Sequence, residues 1–216
     1  MHFSFLNQPR AAQKNFKSFC NSLKPLIVSN KYYLEKLEEI ENDFANIMQD
    51  KMENMWAKKL GLESFDFKFF EELINLMIDT KVDFTIFFRE LSNIPDDIST
   101  LEKSFYDNLN NENLKSRWQK WFEKWKAKIN INDEESKQKL SNQMKLINPK
   151  YILREWHLVW AYKEAEKGNY EPVNELQEIM TKPYEEQTKE IEKKYYTKKP
   201  DNFFGIAGIS HVSCSS

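Results

Sequence analysis

Apolar residues in this chain recur every three or four positions, block after block, and hardly anywhere alternate one-for-one with polar residues. That spacing lines them up on one face of an α-helix. A first helix over about 9–24 carries Phe16, Phe19 and Leu23, with Asn7 ahead of it and Pro9 in its first turn, where proline is tolerated. Pro25 is expected to end it. A long helix over about 29–60 follows, its stripe made by Tyr33, Leu37, Ile40, Phe44, Ile47, Met48, Met55 and Trp56, with Gly61 placed to cap it. The next helix, 66–80, turns Phe69, Phe70, Leu73, Ile74 and Met77 inward, and 83–91 is apolar nearly all round, as a buried helix must be.

Beyond Pro95 the pattern weakens, with a helix at 101–109 as the best reading. Strong helices are expected at 113–129 and 133–147. Asn148-Pro149 reads as an N-cap followed by proline, opening a helix that Gly168 closes. A last helix covers 171–181. From Pro183 on the periodicity is lost. The expectation is an all-α protein, with a helical region over 1–182 and an irregular, extended tail over 183–216.

Composition narrows the function classes. The chain has 216 residues, enough for one ordinary domain or two small ones. Lysine and arginine number 32 against 34 acids, so neither a basic excess for nucleic acid nor an acidic excess for disorder is present. No run approaches the apolar length of a membrane span. Four glycines leave little for a phosphate-cradling loop, and the glycine-rich, kinase and nucleophile-elbow motifs are missing. Cys20 and Cys214 make no disulfide framework, which suggests a reducing, cytoplasmic setting. Cys20 lies between Phe19 and Leu23 and reads as packed, whereas Cys214, near the chain end, is a candidate redox thiol.

The remaining candidates each have a structural and a functional reading. His2, His157 and His211 lack the short pairing of a zinc site, so no metal site is expected, and His157 reads as a packing or surface residue. The acid clusters, Glu38 with Glu39 and Glu41, Glu71 with Glu72, Asp133 to Glu135, and Glu185 with Glu186, point about 100° apart from neighbour to neighbour and read as solvated helix faces or as partners of a helix N-terminal dipole. Asp83 and Arg89 flank a buried helix, so each needs a partner: an ion pair or a cap. The segment 115–128 sets Trp118, Trp121, Phe122 and Trp125 on one stripe among Lys115, Arg117, Lys120, Lys124, Lys126 and Lys128. Either the indoles pack inward under solvated lysines, or the helix docks on a membrane or a partner's groove.

Four blocks carry a resemblance to the C-terminal part of the selenoprotein O family (SelO, YdiU). FSFLNQPRAAQKNFKSFCNSLKPLI is similar to the family's N-Q-P segment, through Asn7, Gln8, Pro9, Asn15 and Pro25. KVDFTIFFRELS is similar to D-[FY]-T-x-x-F-R-x-L-S, through Asp83, Thr85, Phe88, Arg89, Leu91 and Ser92. NPKYILREWHLVWAYKEAEKGNYEPVNELQEIMTKPYEE resembles the family's N-P-K-Y-[VI]-L-R run, its A-E-x-G-[DN] helix end and the later Pro-[YF], and VSCSS puts Cys214 where some members carry selenocysteine. The chain departs at Glu155, where asparagine is frequent, and around Ile206, near which a tryptophan is common.

The resemblance implies a protein-kinase-like fold of which this chain is the helical C-terminal portion of the C-lobe. It implies transfer of AMP from ATP to protein hydroxyl groups with Mg²⁺ or Mn²⁺. In the family the nucleotide- and metal-binding residues precede the N-Q-P block, so it carries over no catalytic, cofactor-binding or metal residue, and only Cys214 as a redox candidate. The implied partners are the kinase-like front half and protein substrates, not nucleic acid or a membrane; the chain alone is expected to be inactive. The alternative is a non-catalytic helical scaffold or interaction module using the helix 115–128. The first two helices are expected to expose an apolar surface, since in the family they pack beneath the active-site lobe.

Overall fold

The computed structural model describes residues 7–107 and 111–203. Among the described residues it is all-α: no strand forms, and the one bridge joins Val82 to Phe105. The chain divides into two compact units, Met1–Trp56 and Ala57–Ser216.

The first unit is a helical hairpin. Helix α1 (Gln8–Ile27) is followed, across a three-residue link, by α2 (Lys31–Lys59), whose last turn belongs to the second unit. The rings of Phe16 and Phe44 stack at 4.5 Å, and Glu41 receives Lys24 at 3.4 Å and Lys17 at 3.9 Å. Pro25 does not end α1, contrary to expectation. It stands in the final turn, where its missing N–H removes a single helical bond while the rest of the turn persists.

Gly61 caps α2 as expected. Its φ is +68°, its N–H donates to the Lys58 carbonyl at 3.2 Å, and the Leu62 N–H reaches back to the Ala57 carbonyl at 2.9 Å. A Cβ here would also lie 2.7 Å from Met144 Sδ on α6. Gly61→Ala is therefore expected to cost about 1–2 kcal/mol, from the left-handed backbone and the displaced thioether together. The midpoint of urea unfolding measures it; an unchanged midpoint would mean the cap carries no strain.

The second unit is built around α5 (Glu112–Lys128), against α3 (Phe67–Asp79) and α4 (Phe84–Leu91). Asp66, Asp83 and Asn111 cap these three helices by accepting main-chain N–H bonds. The tryptophans settle the two readings of 115–128. Trp118, Trp121, Phe122 and Trp125 are all fully buried. Trp121 stacks on Phe69 at 5.0 Å, and Phe87 packs against both Trp118 and Trp121. Each indole N–H has an acceptor inside: Trp118 donates to Thr80 Oγ1, Trp121 to the Phe69 carbonyl and Trp125 to the Leu60 carbonyl. Outside, Arg117, Lys124 and Lys128 reach Asp79, Glu72 and Asp66. The stripe is core, so it offers no docking surface to a membrane or a partner.

Between α4 and α5 a short 3-10 helix, Ile98–Ser104, stands where a helix at 101–109 was expected. Asp97 opens it early by accepting the Ser99 N–H at 2.8 Å. Helix α6 (Glu134–Ile147) starts on a capping box between Asp133 and Ser136. Asn148 ends α6 rather than starting the next helix. Its side chain is occupied elsewhere, so residues 149–154 form no helix and α7 (Glu155–Glu166) begins later than expected. Gly168, at φ +86°, closes α7, and α8 spans Glu171–Thr181.

The segment after Pro183 is not irregular throughout. Thr188 accepts the Ile191 N–H and starts α9 (Lys189–Tyr195), and a 3-10 turn forms at Asp201–Phe203. The cap was legible, but with only Ile191 and Tyr195 four apart the apolar period was too short to read.

Candidate functional site

The second and third sequence blocks meet in the second unit as one polar network, most of it buried. Asp83 stands at the start of α4, where its Oδ1 accepts the Ile86 N–H at 3.0 Å. The same carboxylate receives Arg154 bidentately, Nη1 to Oδ2 at 2.6 Å and Nη2 to Oδ1 at 3.0 Å. Both side chains are buried, so this is a charge pair removed from water with its fork fully used. Asp83 is thus both a cap and an ion-pair partner, and its partner is Arg154, not the nearby Arg89.

Arg89, one helical face further on, donates through Nη1 to the carbonyls of Lys145 and Asn148 at 3.1 Å, closing the C-terminus of α6. Its Nη2 reaches Glu186 at 2.6 Å. Asn148 is wholly buried and joins three elements. Its amide donates to the Lys59 carbonyl at 2.9 Å and to Ser92 Oγ at 3.0 Å, and its Oδ1 accepts from Lys59 Nζ at 3.0 Å. Ser92 in turn donates to the Phe88 carbonyl. Next in the chain, past Pro149, the N–H groups of Lys150 and Tyr151 both donate to the Pro183 carbonyl, at 2.8 and 3.0 Å.

Lys150 ties this run to the C-terminal segment. It contacts Glu186, and Glu192 at 3.0 Å. Burial works against the Lys150 charge, but the two carboxylates outweigh it and hold its pKa above the ordinary lysine value. For Glu186 burial also opposes the charge, and Lys150 with Arg89 overrides it, so its pKa is lowered. Lys59 is the opposite case. It has Asn148 and the face of Phe88 at 5.4 Å as neighbours, and burial pulls its pKa down to about 8. Glu186 stays exposed, as its solvated reading has it, but its pairing with Arg89 and Lys150 was not read from the sequence, nor was Lys59 singled out. Their roles depend on which segments meet, which local spacing does not report.

His157 is buried on α7, edge-on to the Tyr195 ring at 4.9 Å. Burial, with Arg154 and Lys194 nearby, lowers its pKa to about 4, against a weaker opposing hydrogen bond from the Lys194 main chain. It is a packing residue, held neutral. The unfolded chain takes up this proton near pH 6.5 and the folded one only near 4. His157 should therefore erode stability as pH falls from 6.5 to 4, by at most about 3 kcal/mol in all once partial solvent screening is allowed for, and no further below. Urea unfolding of His157→Gln beside the parent across that range checks this; parallel pH profiles would refute it.

Among the described residues no group of three histidine, cysteine or acidic side chains comes together to hold a metal ion. The carboxylates of the network are already taken: the buried Asp83 by Arg154, and the more exposed Glu186 and Glu192 by Arg89 and Lys150. These residues do not fit a magnesium–nucleotide site. Cys20 is buried and free. Cys214, His2 and His211 lie outside the described residues, as does the VSCSS block. No helix among the described residues is long and apolar enough to cross a membrane.

Residues 1–181 match the family described as Protein adenylyltransferase SelO. A protein nucleotidyltransferase YdiU from Flavobacterium johnsoniae is 34% identical over 99% of this chain and 42% of its own length. Proteins of the same name from an Azoarcus species and from Pseudomonas fluorescens are 30% and 29% identical, each over 99% of this chain and 41% of their own. The chain thus spans about two fifths of the length of the curated relatives it matches.

Proposed function

The chain belongs to the SelO protein adenylyltransferase family, and from that membership we propose that it is the helical C-terminal portion of an enzyme that moves AMP from ATP onto hydroxyl side chains of other proteins. The nucleotide-binding and catalytic apparatus, with its Mg²⁺ or Mn²⁺, belongs to a front portion outside this sequence. The partners are that front portion and the protein substrates, and the working compartment is the cytoplasm. Residues 1–182 form the supporting helical region, and the segment from 183 leads to Cys214, the candidate redox thiol.

One observation carries this reading. Key polar residues of the second and third blocks are spent on structural partners: Asp83 on Arg154, Arg89 on Glu186 and the end of α6, Asn148 on Lys59 and Ser92. A catalytic carboxylate must be within reach of substrate or metal, and these are closed off by their partners. The arrangement suits a rigid base that holds a kinase-like lobe in place.

The test is transfer from ATP labelled in its α-phosphate. The 216-residue chain alone, with Mg²⁺ or Mn²⁺ and an acceptor protein, is expected to transfer none. A chimera joining the front portion of the Flavobacterium relative to this chain is expected to label the acceptor. Labelling by the chain alone would falsify the assignment of catalysis to the front portion, and a silent but folded chimera would remove this chain from the adenylylating enzyme.

A further inference from the structure

Residues 188–199 cross the second unit as a strap. Ile191, Tyr195 and Tyr196 are its apolar anchors, packed on a cluster that includes Ile86, Tyr151 and Leu176. Its polar contacts run to several elements. Glu192 meets Lys150 at 3.0 Å, and Lys194 and the Tyr195 hydroxyl both meet Glu175 of α8, the hydroxyl at 2.7 Å. The Tyr196 hydroxyl donates to Glu90 of α4 at 2.7 Å. Lys198 contacts the Phe105 carbonyl. The Lys199 N–H donates to Tyr106 Oη at 3.1 Å, and that hydroxyl donates in turn to Asp83 Oδ2 at 3.3 Å. Upstream, the Pro183 carbonyl holds Lys150 and Tyr151, and the Gln187 side chain donates to the carbonyls of Ile179 and Lys182. The chain is thus tied to the body up to 187, and the strap begins at Thr188.

Two features set this strap apart from the helices beneath it. Helix α9 has seven residues, and an isolated helix of fewer than about 12 does not hold in water. It is formed only while docked, so undocking and unwinding are one event. The strap also closes over polar atoms that have no partner among the described residues. Tyr151 Oη is fully buried against the Tyr196 ring, and the Gln187 N–H bears on it without forming a hydrogen bond. His157 Nδ1, on the ring against which Tyr195 and the Lys194 main chain press, is likewise without one.

We propose that residues 188–199 detach from the second unit as one piece while α3 to α8 stay folded, and that Tyr151 and His157 keep this strap poised by regaining water when it opens. Closing buries three apolar anchors, which favours the docked state. It also strips water from two polar groups and gives nothing back, which opposes it. Closed, the strap fixes the point from which the C-terminal residues leave the unit, and through Tyr106 it touches the buried Asp83–Arg154 pair; open, it lets both go.

Hydrogen–deuterium exchange of the 216-residue chain at about pH 7, read by mass spectrometry, tests this. Peptides covering 191–199 are expected to be at least about 100-fold less protected than those of α5, whose amides wait for the whole unit to unfold. The decisive comparison removes one phenol hydroxyl from either of two neighbouring rings, Tyr151 and Tyr196, 6.3 Å apart. Tyr151→Phe takes away an unpartnered group and should slow strap exchange by about 5- to 10-fold. Tyr196→Phe takes away a bond to Glu90 and should speed it by about the same factor. Exchange of 191–199 in step with α5, or a Tyr151→Phe strap that opens as fast as the parent's or faster, overturns the proposal. Either result leaves the adenylyltransferase reading standing, since that reading places the chemistry in the front portion.

Discussion

Asp83→Ala is expected to destabilise the second unit by about 5 kcal/mol, a large loss for a single polar side chain. Two effects add. Removing one partner of a buried charge pair leaves the other uncompensated, which costs about 3–5 kcal/mol. Here the abandoned group is Arg154, buried beside Trp156 with its ring 5.1 Å away. The Ile86 N–H at the start of α4 also loses its acceptor, worth about 1 kcal/mol. Asp83→Asn separates the two, because an amide oxygen still accepts the cap bond while the charge is gone. It should fall between parent and alanine variant in urea unfolding. Equal midpoints for the parent and Asp83→Ala would mean that Arg154 finds water and the pair holds nothing.

The second large effect is at α5. Trp125→Ala should cost about 4 kcal/mol, within the roughly 3–5 kcal/mol range for truncating large buried aromatics. Its ring is fully buried against Phe122, and its Nε1–H satisfies the Leu60 carbonyl at 2.8 Å, one of the orphan acceptors where α2 ends. Trp125→Phe keeps most of the volume but drops that bond, so it should cost about 1–2 kcal/mol. Calorimetric unfolding of both variants gives the comparison. If Trp125→Ala folds as stably as the parent, the indole is not core, and the docking reading of the Trp/Lys stripe returns.

How much of this was legible depended on distance along the chain. Helix 171–181 and the caps at Gly61 and Gly168 were readable, because period and cap lie within a few residues of each other. The Trp/Lys stripe was legible as a helix but not as to which side was wet. Inward packing had to be shown by Thr80, Phe69 and Leu60 offering acceptors from tens of residues away. Asn148-Pro149 misled for a related reason. The pair is a good local helix start, and the local preference lost to Lys59 and Ser92, which capture the Asn148 amide. Asp83 and Arg89 announced that they needed partners; the partners, Arg154 and Glu186, lie 71 and 97 residues on and carry no local signal of it. Resemblance pointed to the right residues, and only the fold showed that they are joined to each other.

The central claim is that these family-like residues hold helices together instead of meeting a substrate. A double-mutant cycle on Asp83→Ala and Arg154→Ala, read by urea unfolding, tests it most directly. The account predicts a coupling of at least about 2 kcal/mol, with the double variant losing much less than the two single losses combined. Additive losses, or single variants that each leave stability untouched, would contradict it and make Asp83 available for chemistry.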